Sequence, residues 1–199
     1  MAAIRLIAGL GNPGPQYQQT RHNVGAEFVE TLARRFGVSL SNESRFRGLA
    51  GRGLIAGHDV RLLVPLTYMN LSGEAVGAMA RFFKLEPQEI LVAYDEMAFE
   101  PGVLRLKAGG GDNGHNGVRS IIASLGNNRD FLRLRIGVGH PGDRSKVTPY
   151  LTSVRMPQAE RLLMESIFDI PEQVLDHLLG GQLQKAMTEL HSRDLSGDD

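Results

Sequence analysis

The alternation of short apolar runs with amphipathic repeats is the feature that most constrains the fold of this chain. Residues 4–10 have the nearly continuous apolar character of a buried strand, and residues 22–36 repeat apolar side chains every four positions, as a helix does. The alternation continues with strands over 90–94, 103–107 and 132–138 and helices over 71–83 and 116–125. It predicts an α/β fold, a single domain with a twisted, mixed and mostly parallel β-sheet flanked by helices on both faces.

Two further segments complete the predicted architecture. Residues 49–55 and 60–64 predict a hairpin that turns at Gly57, His58 and Asp59, with Pro65 ending its second strand. Helical patterns continue beyond Pro157 to about His191. We therefore expect one domain over residues 1–194 and a disordered tail over 195–199.

Composition restricts the chemistry. The 199 residues include no Cys, which excludes disulfides and thiolate catalysis and suits a reducing, cytoplasmic environment. No apolar stretch reaches membrane-spanning length, so we predict a soluble protein. The formal net charge of zero argues against a protein that coats nucleic acid by bulk attraction.

Amide, imidazole and carboxylate side chains follow several of the predicted strands or begin the predicted helices. Such loop positions hold polar groups over a common cleft. A His with a possible carboxylate partner and several amides, without a dense carboxylate cluster, favours general-base hydrolysis of an activated acyl bond. The residues are Asn12 in GLGNPG, His22 in TRHNVG, Asn70 in TYMNLSG, Asp95 in VAYDEM and Asn116 in GGGDNGHNG.

His22 is the candidate base. It stands at the start of a predicted helix, where Thr20 could cap the helix end. A helix N-terminus disfavours a charged imidazole, so an effective base there needs a carboxylate partner. Asp95, at the carboxyl end of a predicted strand, is the natural partner, and Glu96 beside it is the alternative.

The glycines of GLGNPG also match G-x-G-x-x-G, the fingerprint of dinucleotide-binding folds. Pro13 and Pro15 prevent a helix from running through the segment, and Glu27 and Glu30 lie inside a helix rather than at a strand end. A nicotinamide-dependent oxidoreductase therefore remains a minor alternative that rests on this motif alone. The favoured interpretation is a tight glycine turn that aims Asn12 outward.

The glycine-rich loop 109–117 can approach a bulky substrate closely, and its Asn116 begins a helix, where a plain capping role is the alternative. It lacks the G-K-S/T of a phosphate-binding P-loop. His115 has no second ligand at suitable spacing on the same element, so we expect no metal.

Basic side chains alternate with leucines on two predicted strands. Arg105 and Lys107 share one face, and Arg133 and Arg135 repeat the arrangement. Two such rows beside a site could bind phosphates although the whole protein is neutral. The solvated face of a half-exposed sheet is an equally good interpretation.

Five segments, in order, closely resemble the bacterial peptidyl-tRNA hydrolase family over roughly the first 145 residues. They are GLGNPGPQYQQTRHNVG, VRLLVPLTYMNLSGEAV, ILVAYDE, GGGDNGHNGVRSIIASLGN and FLRLRIGVGHPGD. The resemblance implies a monomeric, cofactor-free esterase that cleaves the bond between a peptide and the 3′ ribose of tRNA.

The resemblance also implies residue roles. His22 would be the general base and Asp95 its orienting carboxylate. The substrate, with its attacking water, would be bound by Asn12, Tyr17, Tyr68, Asn70 and Asn116. Arg105, Lys107 and Arg135 would hold a tRNA phosphate.

The chain departs from the family pattern at Tyr94, Ala98 and Asp112, and after Val147, where the resemblance implies a lid over the cleft. An RNA-binding scaffold on the same fold is the alternative function, since organellar relatives act in intron splicing. His22, Asp95 and the three Asn residues favour catalysis, because a scaffold has no chemical need for all five.

Overall fold

The computed structural model describes residues 2–193, which contain seven strands and seven α-helices. The strands are β1 (Leu6–Gly9), β2 (Ser41–Glu43), β3 (Gly48–Ile55), β4 (His58–Pro65), β5 (Ile90–Glu96), β6 (Leu104–Ala108) and β7 (Leu132–Gly137). The helices are α1 (Val24–Phe36), α2 (Ser72–Phe82), α3 (Asn116–Ser124), α4 (Val147–Thr152), α5 (Gln158–Phe168), α6 (Glu172–Leu179) and α7 (Leu183–His191). The predicted tail 195–199 and residue 194 lie outside the described residues.

The seven described strands form a single mixed sheet in the order β2-β3-β4-β1-β5-β7-β6. The central pairs β4–β1, β1–β5 and β5–β7 are parallel, and β3 and β6 run against them. Because β2 is in turn antiparallel to β3, five of the seven strands share one direction, which confirms the predicted mixed, mostly parallel sheet. The carboxyl ends of β1, β4, β5 and β7 meet at one edge.

Each face of the sheet is covered by its own apolar core. On one face, α1 and the C-terminal helices α5–α7 pack against alternate side chains such as Ile7, Leu91 and Leu134. On the other face, α2 and α3 pack against the intervening positions, such as Leu6 and Val92. Burial on both faces explains why the central strands read as continuous apolar runs, and it confirms helices on both faces.

Helix α1 lies unusually close to the sheet because two glycines face each other across the contact. A Cβ added to Gly25 would lie 2.1 Å from the Ala93 carbonyl oxygen, and one added to Gly9 would lie 2.1 Å from the Gly25 oxygen. Gly9 is thus a strand residue whose missing side chain lets α1 pack closely. The glycine of the motif that has a positive φ is Gly14, at 111°. The prediction that these glycines form a tight turn was wrong at Gly9, because helix packing accounts for it.

Three local predictions need correction. The hairpin turns at Ala56 and Gly57, both with positive φ, and His58 already pairs with Ile55, as a two-residue turn requires. The helix expected from residue 22 begins as a 3₁₀ turn over Arg21–Asn23. The Thr20 hydroxyl does not cap that turn, because it donates to the Tyr17 carbonyl at 2.6 Å.

Elements β2 and α4 were not predicted.

No helix within residues 2–193 is both long and apolar enough to cross a membrane.

Glu27 is a half-buried acid in the first turn of α1, in a groove that Arg161 of α5 also lines. Burial raises the pKa of its carboxyl to about 7, and neighbouring Glu30 adds to the rise, whereas the Gln19 N–H and Arg161 oppose it. The folded state therefore binds a proton more tightly than the unfolded state. This contribution to stability is complete below about pH 4.5 and is lost as the pH rises through 7.

We predict that Glu27→Gln raises the free energy of unfolding by about 1–3 kcal/mol at pH 8, because the amide keeps the acceptor for Gln19 and removes the buried charge. The gain should shrink as the pH falls towards 4.5. Urea denaturation at several pH values measures it. Glu172→Gln, in the exposed first turn of α6, is the matched control and should show no gain. A gain from Glu27→Gln that does not vary with pH would contradict the prediction.

Candidate active site

Asp95, near the end of β5, is a buried carboxylate held between two histidine rings. Its side chain is 2% exposed. Oδ2 lies 2.8 Å from His22 Nδ1, and Oδ1 lies 2.8 Å from His115 Nε2. An ionised carboxylate only accepts hydrogen bonds, so both ring nitrogens donate. Of the two carboxylates that the sequence left open as partners of His22, Asp95 makes the contact, and the Glu96 side chain faces the Ala98 N–H.

The two histidines differ in which ring nitrogen carries the proton. His115 is the N-cap of α3, where its Nδ1 accepts from the N–H groups of Gly117 and Val118 at 3.1 and 3.3 Å. Its proton is therefore on Nε2, and a second proton on Nδ1 would face two donors. His22 has its proton on Nδ1, so its Nε2 keeps a lone pair and forms no hydrogen bond within residues 2–193. His22 alone of the two offers the cleft a proton acceptor.

The pKa shifts of His22 and Asp95 support the role of His22 as the base. Burial lowers the pKa of the His22 imidazole, but the charge and hydrogen bond of Asp95 raise it by more, so that it lies above the ordinary 6.5. Burial would raise the pKa of the Asp95 carboxyl, but the two imidazoles outweigh burial and hold that pKa far below its usual range. Asp95 is consequently ionised at neutral pH, and His22 is a stronger base than a free imidazole.

A cleft of about 300 Å³ lies in front of these residues. Its walls come from the end of β5, the loop that enters α3, and α4, which contributes Val147, Thr148 and Leu151. Asn116, the first residue of α3, also lines it. The region after Val147, which the family resemblance described as a lid, thus supplies one wall of the cleft.

Arg21 fixes that wall relative to His22. Its side chain is 6% exposed, and its guanidinium lies 3.8 Å from the centroid of the Tyr150 ring, in α4. It also donates to the Tyr150 carbonyl and forms a salt bridge of 2.9 Å with Glu160 of α5. The residue before the candidate base is therefore bound to α4, which lines the cleft, and to α5.

Asn12 is held by two neighbours and does not simply point outward. Its Oδ1 accepts the Met69 N–H at 2.7 Å, and its backbone N–H and carbonyl are both bonded at 2.9 Å to the Asn23 side chain. Asn12 Nδ2 forms no hydrogen bond within residues 2–193, so this donor is available to a ligand, whereas Oδ1 already has one partner. Asn12 lines a shallower groove beside Asn23 and not the cleft itself.

The other predicted substrate residues lie around the same edge of the sheet. Tyr68 and Asn70 are exposed, at the turn that follows β4, and the neighbouring Met69 packs against Gly117 of α3. Tyr17 lies in the loop after β1 and is partly exposed. The structure thus brings Asn12, Asn70 and Asn116 into one group of loops, although only Asn116 lines the cleft.

The basic residues of β6 and β7 share one face, as predicted, but one of them is not available to a ligand. Arg105 lies directly opposite Arg135, and Lys107 lies opposite Arg133. Arg133 is 1% exposed and donates to the carbonyls of Gly110, Gly111 and Arg129. Its prediction as part of a phosphate-binding row was wrong, because the glycine-rich loop folds back over it. Arg105, Lys107 and Arg135 remain partly exposed.

Tyr94, one of the departures from the family pattern, connects the basic face to the cleft. Its ring packs edge-on to His115, with centroids 5.0 Å apart, and it pairs with Arg135 across β5–β7. Asp112, a second departure, accepts the Gly114 N–H at 2.7 Å and shapes the loop before His115. Ala98 is exposed and does not line the cleft.

His22, Asp95 and His115 also have the composition of a metal site, and within residues 2–193 their ligand atoms lie within 4.8 Å of one another. These three residues come from three different elements, whereas the prediction of no metal rested on spacing within one element. Both imidazole N–H groups already donate to Asp95, so a cation would have to displace those two protons. The expectation of a metal-free, cofactor-free site stays a prediction.

Three contributors to the site were not predicted: Arg21, Asn23 and, as a partner of Asp95, His115. Each is adjacent in sequence to a predicted residue, within R-H-N and H-N-G. That adjacency is the only sequence signal for them.

Comparison with known proteins shows the family of this chain. A sequence model of the family described as peptidyl-tRNA hydrolase matches residues 6–197. The peptidyl-tRNA hydrolase of Pseudomonas putida strain F1 is 53% identical over 97% of this chain and 99% of its own length. That of Shewanella sp. strain MR-4 is 53% identical over 96% and 98%. The crystal structure of the Acinetobacter baumannii enzyme superposes with a TM-score of 0.90, at 46% identity and 96% coverage of both chains. The chain belongs to the peptidyl-tRNA hydrolase family.

Proposed function

We propose that this protein hydrolyses the ester bond between a peptide and the 3′ ribose of tRNA, by attack of a water that His22 activates. The observation that carries the proposal is the placement of the His22 and His115 rings on the two oxygens of Asp95, from which opposite tautomers of the two histidines follow. One ring is fixed by the helix N-terminus, and the other presents an unprotonated Nε2 to the cleft. We also propose that the protein acts as a cytoplasmic monomer without a metal or cofactor.

In the first step, His22 Nε2 takes a proton from the water as the water oxygen attacks the ester carbonyl carbon. The imidazolium that forms is stabilised by the ionised Asp95, which stays ionised itself. The tetrahedral intermediate then expels the 3′ oxygen of the ribose, which takes the proton back from Nε2. Peptide acid and tRNA leave, and His22 is again neutral.

The asparagine amides position the substrate. Asn12 offers a donor whose orientation Met69 fixes, so it suits a substrate carbonyl or the developing oxyanion. Asn116 reaches the cleft from α3, and Asn70, Tyr68 and Tyr17 border the same edge. Amides bind without adding a charge that competes for the proton.

Lys107, Arg135 and Arg105 would hold a tRNA phosphate on the β6–β7 face, separated from His22 by Tyr94 and the glycine-rich loop. Local placement of these cations reconciles RNA binding with a net charge of zero.

The direct test measures release of tRNA from N-blocked aminoacyl-tRNA. We predict that His22→Ala lowers kcat by at least about 100-fold, the range of general-base effects, while tRNA still binds. His58→Ala, a surface histidine that contacts Asp176, is the matched control and should be fully active. Lys107→Ala should weaken tRNA binding with a smaller effect on kcat. Binding of tRNA by the native chain without cleavage would favour the RNA-binding scaffold.

A second substitution tests Asn12 as a donor. We predict that Asn12→Asp keeps the acceptor for the Met69 N–H, and with it the melting temperature, but lowers kcat/KM about 100-fold because a donor to the substrate becomes an acceptor. Steady-state kinetics and thermal unfolding measure the two effects. Loss of activity in proportion to a lower melting temperature would instead assign Asn12 a structural role.

A further inference from the structure

A second basic surface lies over β3 and β4, on the face of the sheet that α2 covers, and its groove shares no lining residue with the cleft. We call it the arginine–phenylalanine surface, and its residues are Arg45, Phe46, Arg61, Phe82 and Phe83. Arg61 of β4 is level with Leu6 of β1, and Leu6 is level with Ile90 of β5. Asp95 is five residues further along β5, so Arg61 is roughly 16 Å from the catalytic carboxylate along the strand direction.

The two arginines of this surface lie against aromatic rings. The Arg61 guanidinium carbon is 3.4 Å from the centroid of Phe83, and that of Arg45 is 4.5 Å from Phe82 and 4.7 Å from Phe46. The Phe82 ring packs edge-on to Phe83 yet remains 56% exposed. Stacking orients each planar guanidinium and leaves its N–H edge available to an acceptor.

Neither arginine forms a salt bridge within the described chain. Neighbouring arginines do: Arg5 pairs with Glu89, Arg47 with Glu74, and Arg52 with Asp59. The side chains of Arg45 and Arg61 form no hydrogen bond or salt bridge within residues 2–193.

Three other arginines lie near Arg61, and two of them, Arg5 and Arg52, are paired with acids. Arg52 lies directly opposite it across the β3–β4 pair, with Arg5 and Arg45 near. Burial and these cations lower the pKa of the Arg61 guanidinium, although Asp59 opposes them. A groove of about 240 Å³ beside the two arginines is also lined by Ser39, Ser41 and one acid, Glu43. An anion in this groove would be attracted by Arg45 and Arg61 together.

We propose that the arginine–phenylalanine surface binds the backbone of single-stranded RNA, with a phosphate between Arg45 and Arg61 and a base stacked on Phe82. The guanidinium fork matches phosphate oxygens, and an exposed ring next to such a cation is the arrangement that binds bases without sequence preference. An acidic peptide would use the charges but not the exposed ring. The site is independent of hydrolysis, since it shares no residue with the cleft or with the β6–β7 face.

The test is fluorescence anisotropy with a labelled eight-nucleotide RNA, on the full chain carrying Lys107→Ala and Arg135→Ala so that the β6–β7 face contributes little. We expect Arg45→Gln with Arg61→Gln to weaken binding about tenfold and to reduce the slope of log K against log salt by about 1.4, the value for two contacts to a single strand. Phe82→Ala should weaken binding about tenfold and leave the slope unchanged. Arg81→Gln, an exposed arginine beside Phe82 on α2, is the matched control.

Equal affinity and slope for the Arg45/Arg61 double variant and Arg81→Gln would overturn the proposal. Weaker binding by the arginine double variant, without any effect of Phe82→Ala, would also overturn the proposal, because no base would then stack on that ring. Displacement of the RNA by inorganic phosphate at matched ionic strength would in that case show that the site binds free phosphate only. Thermal unfolding checks each variant, and Arg45→Gln alone replaces the double variant if Arg61→Gln lowers the melting temperature.

Discussion

The sharing of one buried carboxylate by two imidazoles is the interaction on which the rest of the site depends. An ionised Asp95 in this position is stable only with hydrogen bonds to both oxygens, because a buried charge without partners carries a large desolvation penalty. The two donors come from different segments, the turn before α1 and the cap of α3. Asp95 therefore holds together the two segments that carry His22 and Asn116.

The reach of His22 to Asp95 depends in turn on how closely α1 lies on the sheet. Gly25 touches the carbonyl of Ala93, two residues before Asp95 in the same strand. A side chain at position 25 would displace the helix and, with it, the turn that carries His22. The glycine pattern that resembles a dinucleotide fingerprint serves this packing, because Gly9 lies against Gly25 and Gly11 lies against Ala26.

Most of the fold and part of the candidate site can be predicted from the sequence. Buried strands and amphipathic helices are visible as apolar periodicity, so most elements and the sheet class follow from it. The exposed three-residue β2 and the short α4 carry no such pattern. Alternation on β7 correctly places Arg133 and Arg135 on one face, but it does not reveal that the glycine-rich loop covers one of them. Polar residues at strand ends predict the cleft, because those ends meet at one edge. The hydrogen bond between His115 and Asp95 joins two segments that are distant in the sequence. The spacing of residues within one element could not predict it.

The most direct test of this account is to determine the tautomers of both histidines by two-bond ¹H–¹⁵N correlation NMR of the folded protein, with assignment by His22 and His115 substitution. The account predicts that neutral His22 carries its proton on Nδ1 and titrates above pH 6.5, whereas His115 carries its proton on Nε2. A proton on Nε2 of neutral His22 would contradict the account, because that nitrogen could then not accept a proton from water.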